Sequence, residues 1–204
     1  MSFLKSIWDH PFTFWAILSV PALLMTMGLA SGDPEIIGKL VHPTGEFAAR
    51  MMIIGMMISP LILIFRNARW LRWMMKRRRY LGVAAFFYAL AHTAFYLIDE
   101  GAVAFTGGEL SKLYIWTGWF AFLIFVPLAV TSTDGWMRKL GRNWKTLQRT
   151  TYGAAVLTLL HWAALHDWGG VGPALVHFLP LALLETYRIW YWYLRPRQRA
   201  VPQT

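Results

Sequence analysis

A bundle of six membrane-spanning helices is the fold this sequence predicts, and three observations predict it. First, 57% of the 204 residues are hydrophobic, more apolar surface than a soluble domain of this size can bury. Second, apolar runs long enough to cross a bilayer, about 20 residues at about 1.5 Å each, recur along the whole chain. Third, 17 of the 20 basic residues fall in alternate connections and at the two ends, the asymmetry that marks the cytoplasmic side of membrane proteins.

The elements follow in order. The first span covers roughly 11–30; no small-x-small cleavage site leads from it into a soluble domain, so it reads as a helix and not as a signal peptide. The connection GDPEIIGKLVHPTG, with turn chemistry in Asp-Pro and Pro-Thr-Gly, is expected to lie along the outer surface. The second span, roughly 46–65, ends at Arg66, Arg69, Arg72, Lys76, Arg77, Arg78 and Arg79. The third, roughly 80–98, opens onto Asp99, Glu100, Glu109 and Lys112. The fourth, roughly 113–132, leads to Arg138, Lys139, Arg142, Lys145 and Arg149. The fifth, roughly 150–167, is the shortest and ends at Asp167; the sixth, roughly 171–194, ends in the polar tail RPRQRAVPQT. Lys5, Arg188, Arg195, Arg197 and Arg199 complete the basic set. Both termini are therefore expected in the cytoplasm. Pro21, Pro60, Pro127 and Pro180 fall within spans, where kinks are expected.

These features exclude several functions. A net charge of +10 suggests nucleic acid at first, but its placement in inner connections fits topology and lipid headgroups instead. Without cysteine there is no disulfide, thiolate metal site, iron–sulfur cluster or covalently attached heme. No soluble domain fits in the loops, no glycine-rich phosphate loop follows a strand, and internal repeats are not evident.

The histidines carry the chemistry. His10, His42 and His166 lie in flanks or loops and read as surface residues. His92, His161 and His177 lie within spans, where ionisable groups are rare and usually functional. His92 is 13 residues beyond Arg79 and His161 is 12 beyond Arg149, so both sit about 18–20 Å above the cytoplasmic edge. Two imidazoles at one height on two helices suit axial ligation of one b-type heme; simple packing is the competing reading. His177 falls near the same level and could replace a ligand, bond a propionate, help bind a quinone, or make an interhelical hydrogen bond. Arg50, one turn from Glu46, could pair with that carboxylate, meet a propionate, or snorkel to the headgroups.

Four segments carry a family resemblance: TGEFAARMMIIGMMISPL at 44–61, RRRYLGVAAFFYALAHTAFY at 77–96, TSTDGWMRKLGRNWKTLQRTTY at 131–152, and LLHW at 159–162. The chain resembles the MsrQ (YedZ) family, heme-binding membrane subunits of a bacterial periplasmic methionine sulfoxide reductase system within the ferric-reductase-like transmembrane group. The resemblance implies that His92 and His161 bind heme. It also exposes a departure. The family usually carries a further histidine at the start of helix five, where this chain has Gln148, and the corresponding position on helix three is Arg78. Neither side chain suits heme iron, so one heme is expected and a second, inner one is not. Arg78 and its basic neighbours could hold a propionate or an FMN phosphate, or serve only as inner charges.

The resulting expectation is a b-type cytochrome of the bacterial inner membrane. It takes electrons from quinol or a cytoplasmic flavin reductase and passes them to a periplasmic molybdenum-containing catalytic subunit. Two alternatives remain open at this point: a self-sufficient heme-containing reductase of ferric ion, oxygen species or quinone, and a cofactor-free membrane anchor.

Overall fold

The structure, a computed structural model, describes Trp8 and residues 10–195. Lys5, Arg197, Arg199 and the remainder of the tail lie outside the described residues. Every element among them is helical. Six principal helices run α1 Pro11–Leu29, α2 Ile36–Ile64, α3 Arg69–Glu100, α4 Leu113–Val130, α5 Thr151–Ala163 and α6 Val171–Ile189. Between α4 and α5 the basic connection folds into two short helices, Asp134–Leu140 and Arg142–Gln148. The Lys139 ammonium lies 4.7 Å from the Trp136 ring centre, and the Trp144 indole N–H reaches the Thr131 carbonyl at 3.0 Å.

Among the described residues, four helical segments are long and apolar enough to cross a membrane: those of α1, α2, α3 with its 3-10 extension, and α4. α5 has 13 residues, about 20 Å of helix. α6 has the length, but His177, Glu185 and Arg188 lower its apolarity.

Two boundaries depart from the sequence expectation. The segment expected to run along the outer surface is instead the first turns of α2, from Ile36. Ile36, Ile37, Leu40 and Val41 have helical spacing, and Pro43 removes only one backbone donor. The basic run from Arg69 to Arg79 is likewise not a loop but the start of α3. There the Arg77 guanidinium stacks 4.0 Å from the Trp73 ring centre and donates to the Trp8 carbonyl at 3.3 Å.

The core is built from small residues that let helices approach closely. Ala49, Ala85, Ala154, Ala155 and Ala174 are buried with Met52, Phe125, Trp162 and Phe178. α2 packs most extensively on α3 and α4 on α5, with α6 bridging α2 and α5. α1 is peripheral, and its Leu23, Leu24 and Met27 face outward. One device ties it down. At Pro21 the ladder of α1 is opened by Tyr88 of α3, whose hydroxyl donates to the Leu18 carbonyl at 2.8 Å and accepts the Ala22 N–H at 3.0 Å. An inserted side chain of this kind is a recognised cause of helix bending.

Candidate functional site

The histidines of α3 and α5 meet inside the bundle. The ring centres of His92 and His161 are 6.0 Å apart with planes at 84°. Both line a cavity of ≈390 Å³ between α2, α3, α4 and α5, within the range typical of cofactor pockets. Its walls include Ala48, Ala49, Ala89, Ala121, Phe122 and Phe125. Toward the C-terminal end of α3 it is lined by His42, Glu46, Tyr96, Asp99, Glu100 and His166.

Each imidazole is held the same way. His92 Nδ1 lies 2.8 Å from the Val41 carbonyl oxygen, and His161 Nδ1 lies 2.7 Å from that of Tyr114. A carbonyl only accepts, so Nδ1 carries the proton in both rings and each Nε2 keeps a lone pair for another partner. This is the arrangement by which a backbone carbonyl orients a metal-binding histidine. Each ring also sits directly on a glycine. A Cβ at Gly45 would lie 2.9 Å from His92 Nδ1, and one at Gly118 would lie 2.7 Å from His161 Nδ1.

The two seats are copies. Val41-His42-Pro43-Thr44-Gly45 on α2 and Tyr114-Ile115-Trp116-Thr117-Gly118 on α4 each place an accepting carbonyl four residues before the glycine. Thr44 and Thr117 are both buried and bond back into their own helices, Thr44 to Val41 at 2.8 Å and Thr117 to Tyr114 at 3.1 Å. The two segments share only their Thr-Gly step, so the likeness lies in how each holds an imidazole and not in a sequence repeat.

The donor set fits a metalloporphyrin better than a bare ion. Among the described residues no group of three or more His, Cys, Asp or Glu could hold a metal, and two imidazoles alone leave an ion short of ligands. A porphyrin brings four nitrogens and asks the protein only for axial ones. Two metal–nitrogen bonds of about 2 Å each, plus the radius of each ring, place imidazole centres about 6 Å apart, which is the separation here.

The other expected site residues lie elsewhere. His177 is outside the cavity lining: its Nδ1 donates to the Pro173 carbonyl at 2.8 Å, and its Nε2 accepts from Arg50 Nε at 3.3 Å. Its ring stacks on Trp162 at 4.7 Å. Arg50 pairs with Glu46 at 2.5 Å, and His42 meets the other Glu46 oxygen at 3.0 Å. A polar chain thus runs from the cavity mouth across α2 to α6. Arg78 donates to Ser59 at 3.1 Å, with Tyr152, Glu185 and Arg188 close by. Arg188 engages Glu185 at 3.2 Å and the Tyr152 hydroxyl at 2.5 Å. Gln148 spends its amide on the Leu128 carbonyl at 3.4 Å.

Residues 44–159 match the ferric reductase like transmembrane component family. The heme-binding subunit MsrQ of protein-methionine-sulfoxide reductase from Xanthomonas campestris pv. campestris (strain 8004) is 40% identical over 161 residues, covering 78% of this chain and 71% of the relative. That of Ralstonia nicotianae is 30% identical over 197 residues, 92% of this chain and 88% of the relative. The chain belongs to the MsrQ family.

No solved structure matches the chain. As a family member with four long apolar helices and bacterial relatives, the chain is a multi-pass inner-membrane protein. The family match spans Gly45, His92 and Gly118 and stops just before His161. Sequence reasoning singled out the two imidazoles of this MsrQ chain but missed what seats them. Both seats carry a Thr-Gly step, at 44–45 and 117–118, but so does 106–107, which lies away from the site. His42 and His166, read as surface residues, line the cavity mouth.

Proposed function

We propose that the chain is the electron-transfer subunit of a methionine sulfoxide reductase system, carrying one b-type heme between His92 and His161. The observation that carries this reading is the paired imidazole geometry: ring centres 6.0 Å apart, both Nδ1 atoms committed to backbone carbonyls, both rings on glycine. Heme supplies a one-electron iron couple at this place. The chain's own residues do the rest. His92 and His161 would hold the heme iron through Nε2, the Val41 and Tyr114 carbonyls fix their tautomer, and the alanine and phenylalanine walls exclude water.

The chain crosses the membrane six times with both termini inside, since the basic first turns of α3 and the basic α4–α5 segment share one side, joined by the Arg79–Asp134 pair. Electrons enter from quinol or a cytoplasmic flavin reductase and leave at the outer end of the cavity. They pass to a periplasmic molybdenum-containing subunit, where the sulfoxide is reduced. The relatives' description as heme-binding subunits of protein-methionine-sulfoxide reductase supports that destination. One heme is the count because the inner positions are spent on other partners, Arg78 on Ser59 and Gln148 on Leu128.

The test is protein purified in detergent from heme-replete cells. The proposal expects the narrow bands of a low-spin b heme at one heme per polypeptide, and electron delivery to the catalytic subunit of the same system. Colourless protein contradicts the heme, two hemes per chain contradict the count, and heme reduction without delivery contradicts the partner.

A further inference from the structure

Tyr96 stands one turn beyond His92 on α3, on the same face and about 6 Å further along the helix. It lines the same cavity. Its hydroxyl is inaccessible to solvent and has no hydrogen-bond partner among the described residues. Burying a hydroxyl without a partner is unfavourable, and native proteins seldom leave one so unless something else completes it. Tyr96 bonds none of the carboxylates around it, Glu100 included. Glu46 takes Arg50 and His42, Glu109 takes Lys112 and the Tyr114 hydroxyl, and the Asp99 carboxylate lies against Gly38.

The following step rests on the heme reading above. The edge of a b-type heme carries methyl, vinyl and propionate groups, and of these only the propionate carboxylates accept a hydrogen bond. No Lys or Arg is among the residues that line this cavity. Its outer donors are therefore the Tyr96 hydroxyl and the imidazoles of His42 and His166, set among Glu46, Asp99 and Glu100.

We infer that Tyr96 is the propionate anchor of the site: its hydroxyl donates to one heme carboxylate, turning that edge of the macrocycle toward the outer mouth. Ligation by two imidazoles leaves rotation about the His–iron–His axis undetermined. Tyr96 fixes it. The phenol supplies a donor among Glu46, Asp99 and Glu100, which as carboxylates only accept.

The test compares wild type and Tyr96→Phe, each as full-length protein in detergent, loaded with native heme and with heme dimethyl ester. With native heme the variant keeps the low-spin bis-imidazole spectrum but releases heme to an acceptor protein about tenfold faster, the effect of losing one charge-assisted hydrogen bond. With the dimethyl ester, whose oxygens accept more weakly, the two proteins differ by less than about threefold. The heme-free variant unfolds at the same or a higher temperature than heme-free wild type, because an unpartnered buried hydroxyl has been removed. Equal release of native heme by both proteins overturns the anchor while leaving the heme assignment intact. So does a difference that persists undiminished with the ester. Failure of wild type to bind either macrocycle overturns the heme assignment itself.

Discussion

His92 and His161, carried on different helices, lie edge to face with their centres 6.0 Å apart, each donating Nδ1–H to a carbonyl of a third or fourth helix. Four helices therefore converge on one axis. α3 and α5 supply the rings, and α2 and α4 supply the seats. Rotating any one of the four would break a hydrogen bond or drive a side chain into a ring, so the site specifies the packing as much as the packing makes the site.

The glycine seats give the sharpest structural prediction. Gly45→Ala and Gly118→Ala each place a methyl within 3 Å of an imidazole nitrogen, and the ring must move off its axis. Alanine is the better helix former by about 1 kcal/mol, so α2 and α4 persist. Each substitution is expected to lower heme per polypeptide about tenfold, roughly 1.4 kcal/mol, while circular dichroism keeps its helical amplitude. Full heme content in both variants would show that the rings have room to spare.

The ring planes, 84° apart, make a spectroscopic prediction. Two imidazoles at right angles donate to different iron d orbitals and leave them nearly degenerate. The ferric protein is therefore expected to give a strongly anisotropic low-spin electron paramagnetic resonance signal. A rhombic signal of the parallel-ring type would mean that ligand binding turns one ring.

His177 has both nitrogens engaged, toward Pro173 and Arg50. His177→Ala is expected to leave the absorption spectrum unchanged and to cost about 1 kcal/mol of stability, the scale of an interhelical hydrogen bond in a membrane. Thermal unfolding with absorption readout checks both. Loss of the low-spin bands would assign His177 to the iron.

Tyr88 holds α1 through Leu18 and Ala22. Tyr88→Phe is expected to loosen α1 by about 1 kcal/mol without altering the heme spectrum. The chain has no cysteine, so a single Leu18→Cys, buried at this contact, reports accessibility. Its labelling rate is expected to rise severalfold in the Tyr88→Phe background, and an unchanged rate would mean that other contacts hold the helix.

Much of this was legible in the sequence because membrane proteins mark their own boundaries. Arg79 and Arg149 mark the basic ends of α3 and α5, and 13 and 12 residues of helix from them put His92 and His161 at one height. The rotation of each helix was not legible. Hydrophobic periodicity is weak where one face meets lipid and the other meets protein, so nothing marked Gly45 and Gly118 as lying under rings. Turn-like residues around Pro43 conceal the first turns of α2, and the sequence leaves Arg78 open between an inner charge and a propionate or phosphate contact, whereas in the structure it donates to Ser59.

The most direct measurement is the reduced-minus-oxidised spectrum and heme content of His92→Ala and His161→Ala beside wild type, all purified as full-length protein. The account predicts one low-spin heme in wild type and loss of the low-spin bands in each variant. Low-spin spectra of full intensity in both variants would contradict it.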